Sequence, residues 1–483
     1  MKILFILPRL RSMFGTEAKK VGHPHVGIAY LSSLLKKNNV EVYLFDDGVE
    51  LSNNKLKDKI KNTDADLIGI TMFSYCYQSG YDLINLIKAN TNIPLVIGGA
   101  HISSTKKQIL EETAADFAIK QEGEKTLLEL LKYISNQRKD YENIDGLIWR
   151  TVKNEIIENK DRKLLTSEEL NELPFPDYEA FELHKYLCYE VKSLPIITSR
   201  GCPYGCNYCS VKLSMGRGFR YRSAINVYNE LKYWNDKGWT TFEINDDCFT
   251  MNMERANDIC DMIIKSGMKI KFSLYNGIRV DRVDYDLLKK MREAGCNFIA
   301  FGCESGNDEI LKKIHKGITT QQVRQASEWA SSLGIQHSVN FIIGHTGETY
   351  EKALDSINFA KSLPYDFVNF YNLVPYPNTD AYAWVKTNGK FLIDENSYLK
   401  YISYRDNTPI FETPEFTKEE RMKITNSMGR RGPSWMLWRP LLSLERRMSI
   451  PSASQMWRAV PTLGTRTRSS LASRAWGASR LHP

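Results

Sequence analysis

The 483-residue chain is predicted to be an α/β protein in which an open parallel sheet precedes a second, barrel-like array of strands and helices. Two observations predict this class. Strand-like and helix-like segments alternate over residues 1–140 and again over residues 188–373. Polar and glycine-rich clusters follow the strands in both regions, where parallel sheets place their ligands. Hydrophobic residues make up 42% of the chain, which is ample for the packed cores of two or three domains.

The N-terminal region is predicted to be a Rossmann-like, doubly wound parallel sheet over residues 1–141, because its strands and helices alternate as βαβ units do. The apolar run at the N-terminus is short and is broken by Pro8, so it is predicted to be a first strand and not a signal peptide. The predicted strands are Ile3–Leu7, Glu41–Phe45, Leu67–Thr71, Pro94–Ile97 and Phe117–Ile119, and the predicted helices are His25–Lys37, Tyr81–Ile87 and Glu124–Ile134.

Residues 142–187 are predicted to be a linker with a small hairpin and two prolines that fix an extended segment. Six βα units follow, of about 30–40 residues each. Six units are too few to close an eight-stranded barrel, so residues 188–415 are predicted to form a partial (β/α)6 barrel of the TIM type. The predicted strands are Ile196–Arg200, Thr241–Ile244, Lys271–Leu274, Phe298–Phe301, His337–Ile343 and Phe367–Leu373.

The last part of the chain, residues 416–483, is predicted to be one helix followed by a disordered basic tail. Lysine and asparagine are absent after Asn426, and residues 424–483 carry ten Arg against one acid, Glu445. This segment accounts for the net charge of +8, so the rest of the chain is nearly neutral. Composition therefore does not favour a nucleic-acid-binding protein, and no apolar run is long enough to span a membrane. A basic arm that binds nucleic acid or acidic lipid is the alternative for the tail.

Three cysteines at close spacing carry the strongest chemical signal. Cys202, Cys206 and Cys209 form a C-x3-C-x2-C motif within ten residues, and no fourth cysteine lies nearby. Soft thiolates at this spacing suit an iron–sulfur cluster or zinc. A four-iron cluster with three protein ligands keeps one iron open, whereas structural zinc would need a fourth ligand close by. The spacing favours the cluster, with a zinc knuckle as the alternative.

The C-x3-C-x2-C motif, with Tyr208 before its last cysteine, resembles the signature of the radical S-adenosylmethionine superfamily. The resemblance implies a [4Fe-4S] cluster whose open iron binds S-adenosyl-L-methionine. It also implies reductive cleavage of that molecule to a 5′-deoxyadenosyl radical.

The ends of the N-terminal strands resemble the cobalamin-binding domain that precedes the radical core in one large subclass of this superfamily. The matching segments are His25–Leu31, Gly98–His101 and Gln121–Glu124. The D-x-H-x-x-G motif is absent, so no residue is predicted to ligate cobalt. There are two alternatives. His101 is a structural histidine of a loop, or the whole domain is degenerate and binds no cofactor. The resemblance implies a cobalamin site that includes Thr71, Ser74, Gly98, Gly99, His101, Glu122 and Gly123.

Polar residues at the ends of the barrel strands are predicted to bind S-adenosylmethionine. The carboxylates of Asp246 and Asp247 suit an ammonium or a ribose hydroxyl, and Arg279 suits a carboxylate. Glu304 matches a ligand-side position of the family. The alternatives are a turn residue at Asp247, a surface ion pair at Arg279 and a buried structural acid at Glu304. The full predicted set is Tyr208, Asp246, Asp247, Asn276, Arg279, Glu304 and Ile343.

These resemblances imply an enzyme that uses a [4Fe-4S] cluster, S-adenosylmethionine and cobalamin to methylate an unactivated carbon of a small molecule. Radical rearrangement or oxidative cyclisation of a tetrapyrrole or lipid is one alternative, and a non-catalytic iron–sulfur protein is another. The expected partner is an external electron donor such as flavodoxin or ferredoxin. Unpaired cysteines predict a reducing, cytoplasmic location. The catalytic residues and the substrate are not predicted.

Overall fold

A computed structural model describes residues 1–9, 21–74, 77–401 and 408–427. Its last element is a helix at residues 418–427, which agrees with the helix predicted near the end of the chain. The basic tail predicted beyond this helix lies outside the described residues.

The N-terminal sheet has seven strands. They are β1 Lys2–Leu7, β2 Glu41–Asp46, β3 Leu67–Thr71, β4 Leu95–Gly98, β5 Phe117–Ile119, β6 Leu147–Arg150 and β7 Ile156–Glu158. The spatial order is β2-β1-β3-β4-β5-β6-β7, and β1 to β5 are parallel. The strand order therefore reverses between β1 and β3, which is the switch point where doubly wound sheets bind ligands. The predicted hairpin exists, but it pairs with β5 and extends this sheet as β6 and β7.

Helices cover both faces of this sheet, as the alternating pattern predicts. In α7, Leu127, Leu130 and Leu131 recur at helical spacing and are all buried. The helix Val26–Lys37 (α1) is capped at its N-terminus by His25, whose imidazole accepts a hydrogen bond from the backbone N–H of Ile28. The helices up to the barrel are α1 Val26–Lys37, α2 Asp47–Glu50, α3 Asn53–Lys61, α4 Tyr77–Asn90, α5 Ala100–Thr105, α6 Gln108–Glu112, α7 Glu124–Ser135 and α8 Ser167–Glu172.

The second sheet is a six-stranded, all-parallel open barrel in the order β8-β11-β12-β13-β14-β15, which confirms the predicted partial barrel. Its first strand ends at Ile196 and the chain continues into a separate short pairing of β9 with β10. The remaining strands of the chain are β8 Ser193–Ile196, β9 Ser199–Arg200, β10 Arg220–Tyr221, β11 Thr241–Ile244, β12 Lys271–Ile278, β13 Cys296–Glu304, β14 Gln336–Ile343, β15 Phe367–Asn372, β16 Lys390–Phe391 and β17 Phe411–Glu412.

Most barrel helices begin at a side-chain cap, as at Ser223, Asn252 and Asp284. These caps fix where each helix starts after its loop and so position the loops at the carboxyl ends of the strands. Within the described ranges, no helix is long and apolar enough to cross a bilayer. The remaining helices are α9 Leu187–Val191, α10 Val211–Ser214, α11 Ala224–Asp236, α12 Met253–Ser266, α13 Tyr285–Glu293, α14 Asp308–Lys313, α15 Thr320–Ser332, α16 Tyr350–Lys361, α17 Asp380–Asn388 and α18 Lys418–Ser427.

Candidate functional site

The cysteine loop follows β9 at the carboxyl end of the first barrel strand, and its neighbours hold it on both sides. The guanidinium carbon of Arg279 lies 3.4 Å from the ring centre of Tyr204, and Arg282 Nε donates to the Tyr204 hydroxyl at 2.7 Å. The backbone N–H of Asn207 donates to the carbonyl of Ile314 at 3.1 Å. A loop held through backbone and ring contacts leaves its thiols available for ligation.

The three thiols of this loop match the donor set of a four-iron cluster. Cys202, Cys206 and Cys209 are free and half-buried. Each thiolate of a four-iron cluster binds a different iron, so three such thiols would leave one iron open. Burial raises the pKa of Cys209 to about 12, and a bound metal would displace that proton.

Two neighbouring acids at the end of β11 have different surroundings. Asp246 is buried and accepts from the backbone N–H of Thr198 at 2.6 Å and from the hydroxyls of Thr198 and Ser199 at 2.5 and 2.6 Å. These contacts occupy both of its oxygens, so Asp246 shapes the entry to the cysteine loop. Asp247 accepts from the backbone N–H of Gly201 at 2.8 Å, and burial raises its pKa. The bond to Gly201 uses only one carboxylate oxygen of Asp247. Asp247 is therefore a better candidate than Asp246 to bind the ammonium group of a ligand.

The remaining predicted residues of the barrel lie around the same opening. Asn276 is exposed and donates to the backbone carbonyl of Asp246 at 3.0 Å. Arg279 is buried, forms an ion pair with Asp281 at 2.8 Å and donates to the backbone carbonyl of Lys316 at 2.7 Å. It is therefore not a surface ion pair, and its guanidinium holds the cysteine loop. The side chain of Ile343 is buried in the core, which leaves only its backbone to meet a ligand.

Glu304 is buried beside the cysteine loop with a partner that the sequence analysis missed. Lys316 Nζ lies 2.8 Å from Glu304 Oε1 and donates to the Tyr208 hydroxyl at 3.4 Å. Glu304 has a φ of 73°, and the register of β13 shifts beside it, so the backbone is strained where this carboxylate is aimed. The ring centres of His345 and Tyr208 lie 5.3 Å apart. Lys316 and His345 lie in short turns without periodicity, so no sequence signal predicts them.

A cavity of about 210 Å³ lies at the switch point of the N-terminal sheet. Among the predicted cobalamin residues, the structure brings Thr71, Gly98, Gly99, Glu122 and Gly123 to its wall. At Gly98, a Cβ would meet nothing within 4 Å, so the missing side chain leaves open space towards the cavity. This space lies at the place where doubly wound sheets bind cofactors, and it is where the face of a corrin would approach the switch-point glycines.

The other two predicted cobalamin residues do not line this cavity. The ring of His101 is buried, and its Nδ1 lies 3.2 Å from the hydroxyl oxygen of Ser74. The ring also stacks on that of Tyr77, with the ring centres 5.1 Å apart. The cavity wall instead contains His25, which the motif His25–Leu31 includes but the predicted set does not. His25 Nδ1 accepts from a backbone N–H, and burial lowers the pKa of His25 to about 4. The proton of the neutral ring is thus on Nε2, 3.4 Å from the Thr71 hydroxyl, where it blocks metal ligation.

A buried ionic network joins the cavity wall to the cysteine loop. Arg200, directly before the loop, donates to Glu122 at 2.9 Å and to Glu124 at 2.7 Å. Arg220 also donates to Glu122 at 2.7 Å, and the backbone N–H of Leu165 donates to its second oxygen. Burial would raise the pKa of Glu124, but Arg200 outweighs this and holds the pKa below its ordinary value. Because Glu122 binds both Arg200 and Arg220, its carboxylate positions the cavity wall and the cysteine loop relative to each other.

Replacing Arg200 by methionine is expected to lower the free energy of unfolding by about 3–5 kcal/mol, since Glu124 would lose its buried partner. Denaturant titration of the purified protein measures this change. Arg217→Met is the matched control, because Arg217 is exposed and its replacement should cost no more than about 0.5 kcal/mol. A loss below about 1 kcal/mol for Arg200→Met would contradict a stabilising network.

Comparisons with known proteins agree with both halves of this site. Residues 13–131 match the B12 binding domain model, and residues 196–360 match the radical SAM superfamily model. An uncharacterised methyltransferase of Pyrococcus horikoshii is 32% identical over 428 residues, which cover 88% of this chain and 90% of the relative. The chain belongs to the cobalamin-dependent radical S-adenosylmethionine family. An anaerobic magnesium-protoporphyrin IX monomethyl ester cyclase of Rubrivivax gelatinosus is 24% identical, over 89% of this chain and 77% of the cyclase.

A solved structure shares the fold of this radical S-adenosylmethionine protein over both domains. The methyltransferase TsrM of Kitasatospora setae, with cobalamin and a [4Fe-4S] cluster bound, superposes with a TM-score of 0.66. The match covers 79% of this chain and 73% of TsrM at 18% identity. Membership of this family makes the protein an enzyme whose cofactors are a [4Fe-4S] cluster, S-adenosylmethionine and cobalamin.

Proposed function

We propose that this enzyme transfers a methyl group to an unactivated carbon of a small molecule. One observation carries the proposal. Ile197, Arg200 and Met215, from both sides of the cysteine loop, line the same cavity as the switch-point glycines of the N-terminal sheet. A group bound at the switch point and a cluster bound by the loop would therefore open towards one place. Methyl transfer to an unactivated carbon requires both in reach of one substrate.

The residues of the chain fall into three roles under this proposal. Cys202, Cys206 and Cys209 hold the cluster, and Asp247 and Asn276 bind S-adenosylmethionine at the strand ends. The switch-point glycines Gly98, Gly99 and Gly123, with Thr71, let the backbone approach cobalamin closely.

The charged residues beside these sites act on orientation. Lys316 fixes the Glu304 carboxylate towards the ligand side of the loop. Arg279 packs on Tyr204 within the loop, and Arg200 ties the start of the loop to Glu122. When bound, the cluster supplies an electron, S-adenosylmethionine supplies the hydrogen-abstracting radical and cobalamin supplies the methyl group.

The relatives also support a second reaction type. Cyclases of magnesium-protoporphyrin IX monomethyl ester and a 4′-phospho-dehydrooxetanocin synthase match this chain over 49–89% of its length. A radical rearrangement or oxidative cyclisation without methyl transfer is therefore the alternative function. A non-catalytic iron–sulfur protein is not favoured, because these relatives are named as enzymes.

Anaerobic incubation with dithionite, S-adenosylmethionine and hydroxocobalamin is expected to yield both 5′-deoxyadenosine and S-adenosylhomocysteine, because reduced cobalamin would accept the methyl group of one S-adenosylmethionine while the cluster cleaves another. Liquid chromatography with mass spectrometry quantifies both products, and a reaction without dithionite is the control. Deoxyadenosine alone would favour the rearrangement or cyclisation. The absence of both products from cluster-loaded protein would contradict radical chemistry of either kind.

The physiological reductant and the location stay predictions. We propose that flavodoxin or ferredoxin supplies the electron and that the enzyme works in the cytoplasm, where thiols stay reduced.

A further inference from the structure

The inner face of the barrel sheet carries a row of side chains that the cofactor sites do not use. Phe242 and Ile244 of β11 are buried in the core, so Glu243 between them points to the opposite, inner face. Glu243 pairs in register with Ser273 of β12. Tyr275, two residues further along β12, is 48% exposed, so this inner face is accessible and not filled by side chains.

Aromatic rings form the wall above Glu243. The ring centres of Tyr275 and Phe298 lie 4.6 Å apart, and those of Phe298 and Phe367 lie 6.1 Å apart. These rings stand on β12, β13 and β15. Asn369 donates to Asn340 at 2.8 Å on the neighbouring strands, which adds neutral amides to the same face. The inner face of the barrel sheet therefore presents aromatic and neutral polar groups around one carboxyl.

Glu243 has no cationic partner within the described part of the chain. The nearest basic group is His23 Nε2, 3.2 Å from Glu243 Oε1. Burial lowers the pKa of His23 to about 4, so the ring is neutral at pH 7. Burial raises the pKa of Glu243 to about 7, although a hydrogen bond with Ser193 opposes this. Lys271 begins β12 at the far mouth of the barrel, where it is exposed, and it forms no ion pair with Glu243 among the described residues.

The depth of Glu243 suits one end of a substrate. Asp247 lies four residues further along and bonds the cysteine loop at Gly201. Strand β11 ends at Ile244, so Glu243 lies within the strand and Asp247 lies beyond its carboxyl end. A group held by Glu243 therefore lies deeper in the barrel than the cysteine loop, and the opposite end of the same molecule would extend towards the strand ends.

We propose that the inner face of the barrel binds an organic amine whose ammonium group pairs with Glu243 and whose apolar body lies against Tyr275, Phe298 and Phe367. This proposal rests on the proposed function, since it names the substrate class for the same barrel. A buried carboxylate without a cation is costly, and an ammonium ion removes that cost. Aromatic faces attract cations as well. A phosphate or carboxylate substrate would meet Glu243 with no Lys or Arg to offset the repulsion in the described wall.

Binding of three probes of similar size to the cluster-loaded full chain tests this proposal. The probes are 2-phenylethylamine, 2-phenylethanol and 3-phenylpropionate, and equilibrium dialysis measures their dissociation constants. We expect the amine to bind at least tenfold more tightly than either other probe. Equal binding of all three, or a preference for the acid, would overturn the proposal without any variant.

Glu243→Gln is expected to raise the dissociation constant of the amine at least tenfold and to change that of the alcohol by no more than about twofold. The matched control is Glu155→Gln, because Glu155 is exposed on the hairpin turn of the N-terminal sheet. If Glu243→Gln changes only the melting temperature and keeps the amine preference, Glu243 forms a structural pair with His23 and the proposal is wrong.

The same wild-type protein separates this proposal from the proposed function. Deoxyadenosine and S-adenosylhomocysteine without an amine preference would refute only the substrate class. An amine preference without either product would refute only the methyl transfer.

Discussion

Cys206→Ala is expected to abolish both the four-iron cluster and all formation of 5′-deoxyadenosine. The predicted site supplies only three of the four protein ligands that a four-iron cluster normally takes. With two thiolates left, the cluster would not be held. Iron per chain and the brown absorbance band measure the cluster, and product analysis measures the cleavage of S-adenosylmethionine. We expect the iron content to fall from about four atoms per chain to a small residual amount.

Cys260→Ala is the matched control for this change. Cys260 is fully buried on α12, where it packs in the core and is far from the loop in sequence. Its replacement removes one sulfur from the core and should cost about 1 kcal/mol of stability while iron content stays normal. A Cys206→Ala protein with full iron content would show that Cys206 is not a ligand.

Gly98→Leu is expected to weaken cobalamin binding at least tenfold, a loss of about 1.4 kcal/mol or more. A Cβ at Gly98 meets nothing within 4 Å and Gly98 lines the cavity, so a leucine side chain starts in open space beside the corrin site. The variant should therefore fold, keep its cluster and lose the space for the corrin. Titration with hydroxocobalamin, followed by absorbance, measures the dissociation constant.

Gly22→Leu provides the comparison for this variant. A Cβ at Gly22 also meets nothing within 4 Å, and Gly22 does not line the cavity. We expect it to bind cobalamin as the wild type does. Equal affinity for Gly98→Leu and the wild type would place the corrin elsewhere and would count against the switch-point cavity as its site.

The local features of this protein are readable from sequence because their partners are close along the chain. Three thiols within ten residues predict an open metal site whatever the rest of the chain does. The spacing of buried Leu127, Leu130 and Leu131 predicts a helix face, and turn residues mark the ends of strands. The two α/β regions follow from such patterns, since backbone hydrogen bonding and burial impose the same periods in every fold.

The pairing of distant charges could not be read in this way. Asp246 and Asp247 are adjacent and chemically identical, yet packing places one against Thr198 and leaves the other with a free oxygen beside Gly201. His101 belongs to the motif that the family shares, but the fold turns it towards Ser74, away from the cavity. Sequence shows which groups are present, whereas the direction of a side chain depends on the packing around it.

By itself, the sequence predicted the two α/β regions and an open three-thiolate site, because short-range spacing and periodicity carry that information, and the resemblance of its motifs to a known family implied the cofactors. Only the tertiary structure decided that Arg200 joins Glu122 across 78 positions and that Glu243 lies beside His23. Such contacts form when segments that are distant in sequence pack against each other. Their free energy depends on burial and distance, which no linear spacing encodes.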